Sequence, residues 1–171
     1  SVTNHFASIG VDVQKDPITI VGIGDMSGDV FGNGLLLSDS ARLVAAFNHT
    51  HIFLDPNPAP AASQQERQRC FDAGLGWDGY DAKLISKGGG VWLRSEKSLP
   101  LSAEIRARLG ITEAELSPDE LIKKLLGAPV DLLWNGGIGT YVKSSDERHG
   151  DVGDRANDAV RVNGHELRCA M

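Results

Sequence analysis

Cysteine is scarce: only Cys70 and Cys169 occur, far apart and in no metal-binding or redox spacing. That pattern excludes a disulfide framework and a cysteine-based zinc site, and it reads as two free thiols in a reducing compartment. No apolar stretch approaches the ~20 residues of a membrane span, and the opening residues show no secretory pattern. The expected location is therefore the cytoplasm. Runs of Lys or Arg are also missing, and the formal charge is −6. Neither nucleic acid nor an anionic membrane is the expected partner of such a surface. No nucleophile–base arrangement, paired-carboxylate motif or zinc spacing is present. Hydrophobic residues make up 41% of the 171 positions, enough for one globular domain with a real core.

The most informative stretch begins with the β-branched apolar run at residues 18–21, which predicts a buried parallel strand. It breaks into Gly22-Ile-Gly24-Asp25-Met26-Ser27-Gly28 and continues with Val30, Phe31, Leu35 and Leu36 at helical spacing. Strand, glycine turn and helix in that order form the context of a dinucleotide fingerprint. Gly22 makes the tight turn and Gly24 lets the backbone approach a pyrophosphate. Ser27 or Gly28 is small enough for the helix to pack on the strand. The helix N-terminus then offers free N–H groups to phosphates. Strand–glycine–helix turns also occur with no nucleotide. Asp25 and Asp29 place negative charge beside the expected phosphates. At ~5 Å in a water-like dielectric each repulsion is about a kcal/mol, which weakens binding without excluding it. Asp25 has the alternative of capping the helix.

Residues 41–47 predict a second parallel strand. An NAD-preferring fold usually carries an acid at its end to bind the adenosine ribose, and here Phe47-Asn48-His49 stands instead. Asn48 can hydrogen-bond a ribose but lacks the charge that repels a 2′-phosphate. His49, His51 and Asp55 have metal-ligand types; the other reading is a hairpin with residues 51–54 pairing beside the second strand. Ser63-Gln-Gln-Glu66 reads as a capping box opening a helix. Residues 72–100 lack periodicity and contain Lys87 followed by Gly88-Gly89-Gly90, so a flap over a cleft and a structural loop both remain open.

Helix starts are expected at Ser102, Thr112 and Ser117, with Gly110 and Gly127 closing the first and third. Residues 130–134 predict another parallel strand, ending in Asn135-Gly136-Gly137-Ile-Gly139. Two glycine-rich strand ends suit a ligand bridging the crevice at the carboxyl edge of an open sheet; a ligand-free turn is the other reading. Residues 151–162 read as a helix and 166–171 as a last strand. Residues 1–10 read as the tail of a helix closed by Gly10. The expected fold is a single doubly wound α/β domain, its sheet mostly parallel with helices on both faces, Rossmann-like. With such ends, residues 1–171 are expected to be a dinucleotide-binding domain excised from a longer polypeptide.

Gly22-Ile-Gly-Asp-Met-Ser-Gly-Asp-Val-Phe-Gly-Asn-Gly34 resembles the nucleotide-binding segment of the very large bacterial NAD-specific glutamate dehydrogenases. So do Phe53-Leu-Asp-Pro-Asn-Pro58, Leu84-Ile-Ser-Lys-Gly-Gly-Gly-Val91, Asp131-Leu-Leu-Trp-Asn-Gly-Gly-Ile-Gly-Thr-Tyr141 and Asp151-Val-Gly-Asp-Arg-Ala-Asn-Asp158. The resemblance implies NAD as cofactor, L-glutamate as substrate through a domain not present here, oxidative deamination to 2-oxoglutarate and ammonium, and a homo-oligomeric parent. It places Asp25 where other glutamate dehydrogenases have an asparagine, and Asn135, Gly136 and Gly137 near the nicotinamide ribose. No matching block supplies the activating lysine or the acid/base aspartate, so this segment is expected to be inactive alone. A domain of another amino-acid dehydrogenase, and a nucleotide-sensing or assembly module without catalysis, are the alternatives.

Overall fold

A computed structural model describes residues 1–171. Its centre is a five-stranded sheet built from β1 (Thr19–Ile23), β2 (Arg42–Phe47), β3 (His51–Leu54), β4 (Gly90–Leu93) and β7 (Leu132–Asn135), in the order β4-β3-β2-β1-β7. The middle of the sheet, β2-β1-β7, is parallel, as the three apolar runs predict. Strands β3 and β4 extend one side by antiparallel hydrogen bonds, which makes residues 51–54 the hairpin partner of β2. Two short pairs lie outside: β5 (Leu99–Pro100) with β6 (Glu115–Leu116), and β8 (Val142–Lys143) with β9 (Val162–Asn163).

Alternation along the strands divides the core between two faces. Val21, Ile23, Ile52 and Leu54 face α3 (Ala103–Leu109) and α4 (Pro118–Leu126). Ile20, Phe53 and Leu132 face Phe6 of α1 (Val2–Ser8), Phe31, Leu35 and Cys70 of α2 (Pro60–Asp72). A bulge in β2 lets Val44 and Ala45 both serve the first face, because Ile20 pairs with Leu43 and Val21 with Ala45. Thr19 and Asp131 lock the register at the amino end: the Asp131 carboxylate accepts from the Thr19 N–H and hydroxyl, both at 2.7 Å.

Several local expectations are corrected. The segment after the glycine turn forms no α-helix but a five-residue π turn (Val30–Gly34) followed by a 3-10 turn (Leu35–Leu37). Helix α2 starts at Pro60, three residues before the expected capping box, and the Ser63 hydroxyl bonds back to the Pro60 carbonyl. No helix starts at Thr112; Glu115 and Leu116 are strand. Residues 151–162 are not one helix: α5 (His149–Val152) ends at Gly153 with φ +77°, a 3-10 turn covers Arg155–Asn157, and β9 follows. Residues 167–171 are not assigned as strand, although Met171 exchanges backbone hydrogen bonds with Asp131 and Leu133 beside β7.

Residues 72–100 contribute both to the core and to the sheet. Trp77 is completely buried between Phe31 and Phe53, and β4 closes the sheet. Gly88 turns with φ +87°, and a side chain at Gly89 would collide with the Leu54 carbonyl, so two of the three glycines deliver the chain into β4.

Candidate functional site at the carboxyl edge of the sheet

Strand order reverses between β1 and β7, and both strands end there in glycine turns. The Gly136 N–H donates to the Ile23 carbonyl at 2.8 Å, so the two turns form one floor. In open α/β sheets this crevice is where ligands bind.

The first turn answers to packing before any ligand. Gly22 and Gly24 lie two residues apart on one face of β1, and the Phe31 ring covers both. A Cβ on Gly22 would stand 2.6 Å from that ring; one on Gly24 would touch it at 3.4 Å. The Gly24 carbonyl accepts from the Trp77 indole at 3.0 Å, and the Gly24 N–H bonds the Phe47 carbonyl at 2.9 Å. The Gly28 N–H closes the turn on the Asp25 carbonyl at 2.9 Å. Met26 is fully buried, backbone included, and belongs to the core. Ser27 is exposed. The N–H groups of Asp25, Met26 and Ser27 donate to no protein acceptor. Those of Asp25 and Ser27 belong to exposed residues and are open to an anionic oxygen. The turn therefore offers backbone donors, but no α-helix dipole stands behind them.

Asp25 caps no helix. Its carboxylate accepts from the Asn48 amide at 2.8 Å, across from the end of β1 to the end of β2. Asn48 is 7% exposed, and its side-chain oxygen is occupied by the Thr50 and His51 N–H groups at 2.9 and 2.7 Å. It is thus a brace for the β2–β3 turn and for Asp25 together. Asp29 is drawn the other way, accepting from the Asn33 amide at 2.8 Å.

On the β7 side, Asn135 closes its own loop: its oxygen accepts from the Gly137 N–H at 3.0 Å and its amide donates to the Gly139 carbonyl at 3.1 Å. Gly136 and Gly137 are exposed. Beyond them Arg161, its side chain wholly buried, donates to the Thr140 carbonyl at 2.8 Å and to Asp158 at 2.5 Å. The Asp154 carboxylate accepts from Asn157 and from the Thr140 N–H, each at 2.8 Å. These bonds hold Asp154 below the usual carboxylate range, with Arg161 and His49 adding to the effect. His49 does not join His51 and Asp55 in a metal-binding group. Asp55 is fully buried and bonded by the Ser86 hydroxyl and N–H. No group of three or more His, Cys, Asp or Glu is placed to hold a metal ion.

Ten residues named from the sequence stand around this crevice in three clusters: the turn from Gly22 to Gly28, Asn48, and Asn135 to Gly137. Trp77, Arg161 and the Asp25–Asn48 link were not found from sequence. A lone arginine in the apolar run Ala159-Val-Arg-Val162 was the available signal for a buried, multiply bonded guanidinium. An apolar cavity of about 450 Å³ lies elsewhere, on the α1 face beside β7, lined by Ile18, Ile20, Leu35, Leu132 and Trp134. Chemically, the crevice can bind anionic and hydroxyl oxygens. It contains no activated nucleophile.

Residues 1–171 match the family described as bacterial NAD-glutamate dehydrogenase, catalytic domain. Over its whole length the chain is 64% identical to the NAD-specific glutamate dehydrogenase of Pseudomonas aeruginosa. It is 57% identical to the proteins of that name from Halomonas elongata and Mycobacterium tuberculosis. It spans 11% of the length of each of these relatives. The chain belongs to the bacterial NAD-glutamate dehydrogenase catalytic-domain family.

Proposed function

We propose that this domain binds NAD across the carboxyl-edge crevice and serves the oxidative deamination of L-glutamate within a longer, homo-oligomeric polypeptide. The observation that carries the reading is the meeting of two glycine-rich strand ends at the switch point, with unpaired backbone donors at the exposed Asp25 and Ser27 of the first turn. The N–H groups of Asp25 and Ser27 hold the pyrophosphate, with Gly22, Gly24 and Gly28 shaping the turn and Met26 anchoring it in the core. Asn48 and Asp25 lie on the adenosine side, and Asn135, Gly136 and Gly137 on the nicotinamide side. NAD supplies the chemistry as the acceptor of the glutamate hydride. This chain's part is to orient the dinucleotide and exclude water. The acid/base groups come from another domain, so residues 1–171 alone are a cofactor module.

The experiment is a titration of the folded 171-residue protein with NADH, followed by nucleotide fluorescence and calorimetry, alongside an assay for glutamate-dependent NAD reduction. Saturable NADH binding without turnover is expected. Absence of binding at millimolar NADH overturns the cofactor reading, and turnover overturns the cofactor-only reading. A second reading, a non-catalytic assembly module, is favoured by one observation: Phe31 packing already accounts for Gly22 and Gly24. It becomes the better reading if NADH does not bind.

A further inference from the structure

We infer that Asp25, held in place by Asn48, is the residue by which this domain admits NAD and rejects a dinucleotide bearing a 2′-phosphate. The inference rests on the NAD-binding reading above. A ribose-recognising acid is expected at the end of β2, and the chain has none there. The structure supplies the missing carboxylate from the neighbouring strand. Asn48, the residue that ends β2, donates its amide to one Asp25 oxygen at 2.8 Å. The other oxygen is in no protein hydrogen bond, and the residue is exposed. One carboxylate oxygen is thus anchored at the β2 end, and the other is left to accept a ribose hydroxyl.

The surroundings support rejection of a phosphate. Between Lys15 and Arg67 the only Lys or Arg is Arg42, which opens β2 and so lies at the far end of the strand from Asn48. Arg94 approaches from below, donating to the Asn48 carbonyl at 3.1 Å. Its side chain is 16% exposed, and its guanidinium is paired with Asp119 at 3.5 Å. It is therefore committed beneath the turn and not presented to a ligand. A 2′-phosphate would meet Asp25 without a guanidinium to neutralise it, whereas sites built for that phosphate supply an arginine. Asn48 acts here as a positioning residue. It touches Asp25, and Asp25 touches the ribose.

The test measures NADH and NADPH dissociation constants by fluorescence titration for wild-type protein and Asp25→Asn. The substitution removes the charge and turns one of the two oxygens into an amide that donates, so one of the two acceptor positions is given up. Wild type is expected to bind NADH at least about tenfold more tightly than NADPH. In Asp25→Asn, NADH affinity should fall with the lost hydroxyl acceptor, whereas NADPH also loses the repulsion, so the NADH preference over NADPH should shrink about tenfold or more, the factor for a carboxylate–phosphate repulsion at partly solvated range. The wild-type preference should also shrink as salt is raised from about 10 to about 500 mM, because screening acts on the repulsion, and the variant's ratio should stay flat. A purely structural role for Asp25 would move neither the ratio nor its salt dependence. An NADPH/NADH ratio unchanged by Asp25→Asn, with NADH still bound and the fold intact by circular dichroism, overturns the inference. Failure of wild type to bind either nucleotide instead overturns the cofactor reading on which it rests.

Discussion

Gly22 shows how a single residue can satisfy two descriptions at once. As a sequence letter it opens a nucleotide fingerprint; in the molecule it makes room for the Phe31 ring, which stacks edge-on against Trp77 at 4.8 Å. A methyl at Gly22 would lie 2.6 Å from a ring with no free space to retreat into, whereas at Gly24 the contact is an ordinary 3.4 Å. Gly22→Ala is therefore expected to destabilise by about 1–3 kcal/mol, the range of an overpacked core. Gly24→Ala should change stability by less than about 0.5 kcal/mol. Urea denaturation of the two variants checks this, and equal midpoints would refute the packing role of Gly22. The two-residue spacing was visible in the chain. The partner Trp77 was not, because nothing local connects it to the Gly24 carbonyl 53 positions away.

Among the elements, α2 is the instructive case. Its buried stripe is Ser63, Glu66, Arg67 and Cys70, a helical spacing of polar residues and a thiol. A search for apolar periodicity passes over it, and the Ser–Glu spacing inside the helix imitates a start signal. Glu66 makes this buried face tolerable: it accepts from Arg69 at 2.6 Å and from the Asp81 N–H at 2.7 Å, tying α2 to the loop before β4. These bonds, the Arg69 pair foremost, lower the Glu66 pKa below its ordinary 4.5. The folded state thus favours the carboxylate, and its stabilisation is complete above about pH 4.5 and is lost as pH falls below that. Glu66→Gln should cost about 1–2 kcal/mol near pH 7, the difference between charge-assisted and neutral bonds, and the gap from wild type should close in acid. Denaturation midpoints at pH 7 and about pH 3 measure this; a gap that widens in acid would refute it. Burial also raises the neighbouring Cys70 thiol to about 11, so it should resist alkylation in the folded protein.

At the scale of the molecule, one sheet carries two cores of opposite facing, and every central strand contributes to both. Trp77 packs in one and Trp92 against the other. Neither face can melt without exposing the strands that support its opposite. Unfolding is expected as a single transition, with tryptophan fluorescence and far-UV circular dichroism coinciding. Separated midpoints would show that the two faces are independent units. The same shared sheet places the crevice, because β1 must twist against β2 on one side and β7 on the other before the glycine turns can meet.

The sequence by itself determined what local chemistry controls. Apolar runs made β1, β2 and β7; Ser102 and Gly110 bounded α3; Ser117, Pro118 and Glu120 set the capping box of α4, with Leu121, Ile122, Leu125 and Leu126 completely buried on one side. The strands are parallel because helices or long connections join them. Tertiary structure decided the rest. Residues 112–116 extend because Glu115 and Leu116 pair with β5, and because proline at position 118 keeps Ser117 out of the helical region. Residues 151–162 break because Gly153 turns left-handed and the buried Arg161 must reach Thr140, Asp154 and Asp158 together. The acid missing from the end of β2 arrives through space, on Asp25, by a hydrogen bond between residues 23 positions apart. Local sequence sets the conformation of neighbours, but a charge carried from one strand end to the next depends on which strands lie side by side.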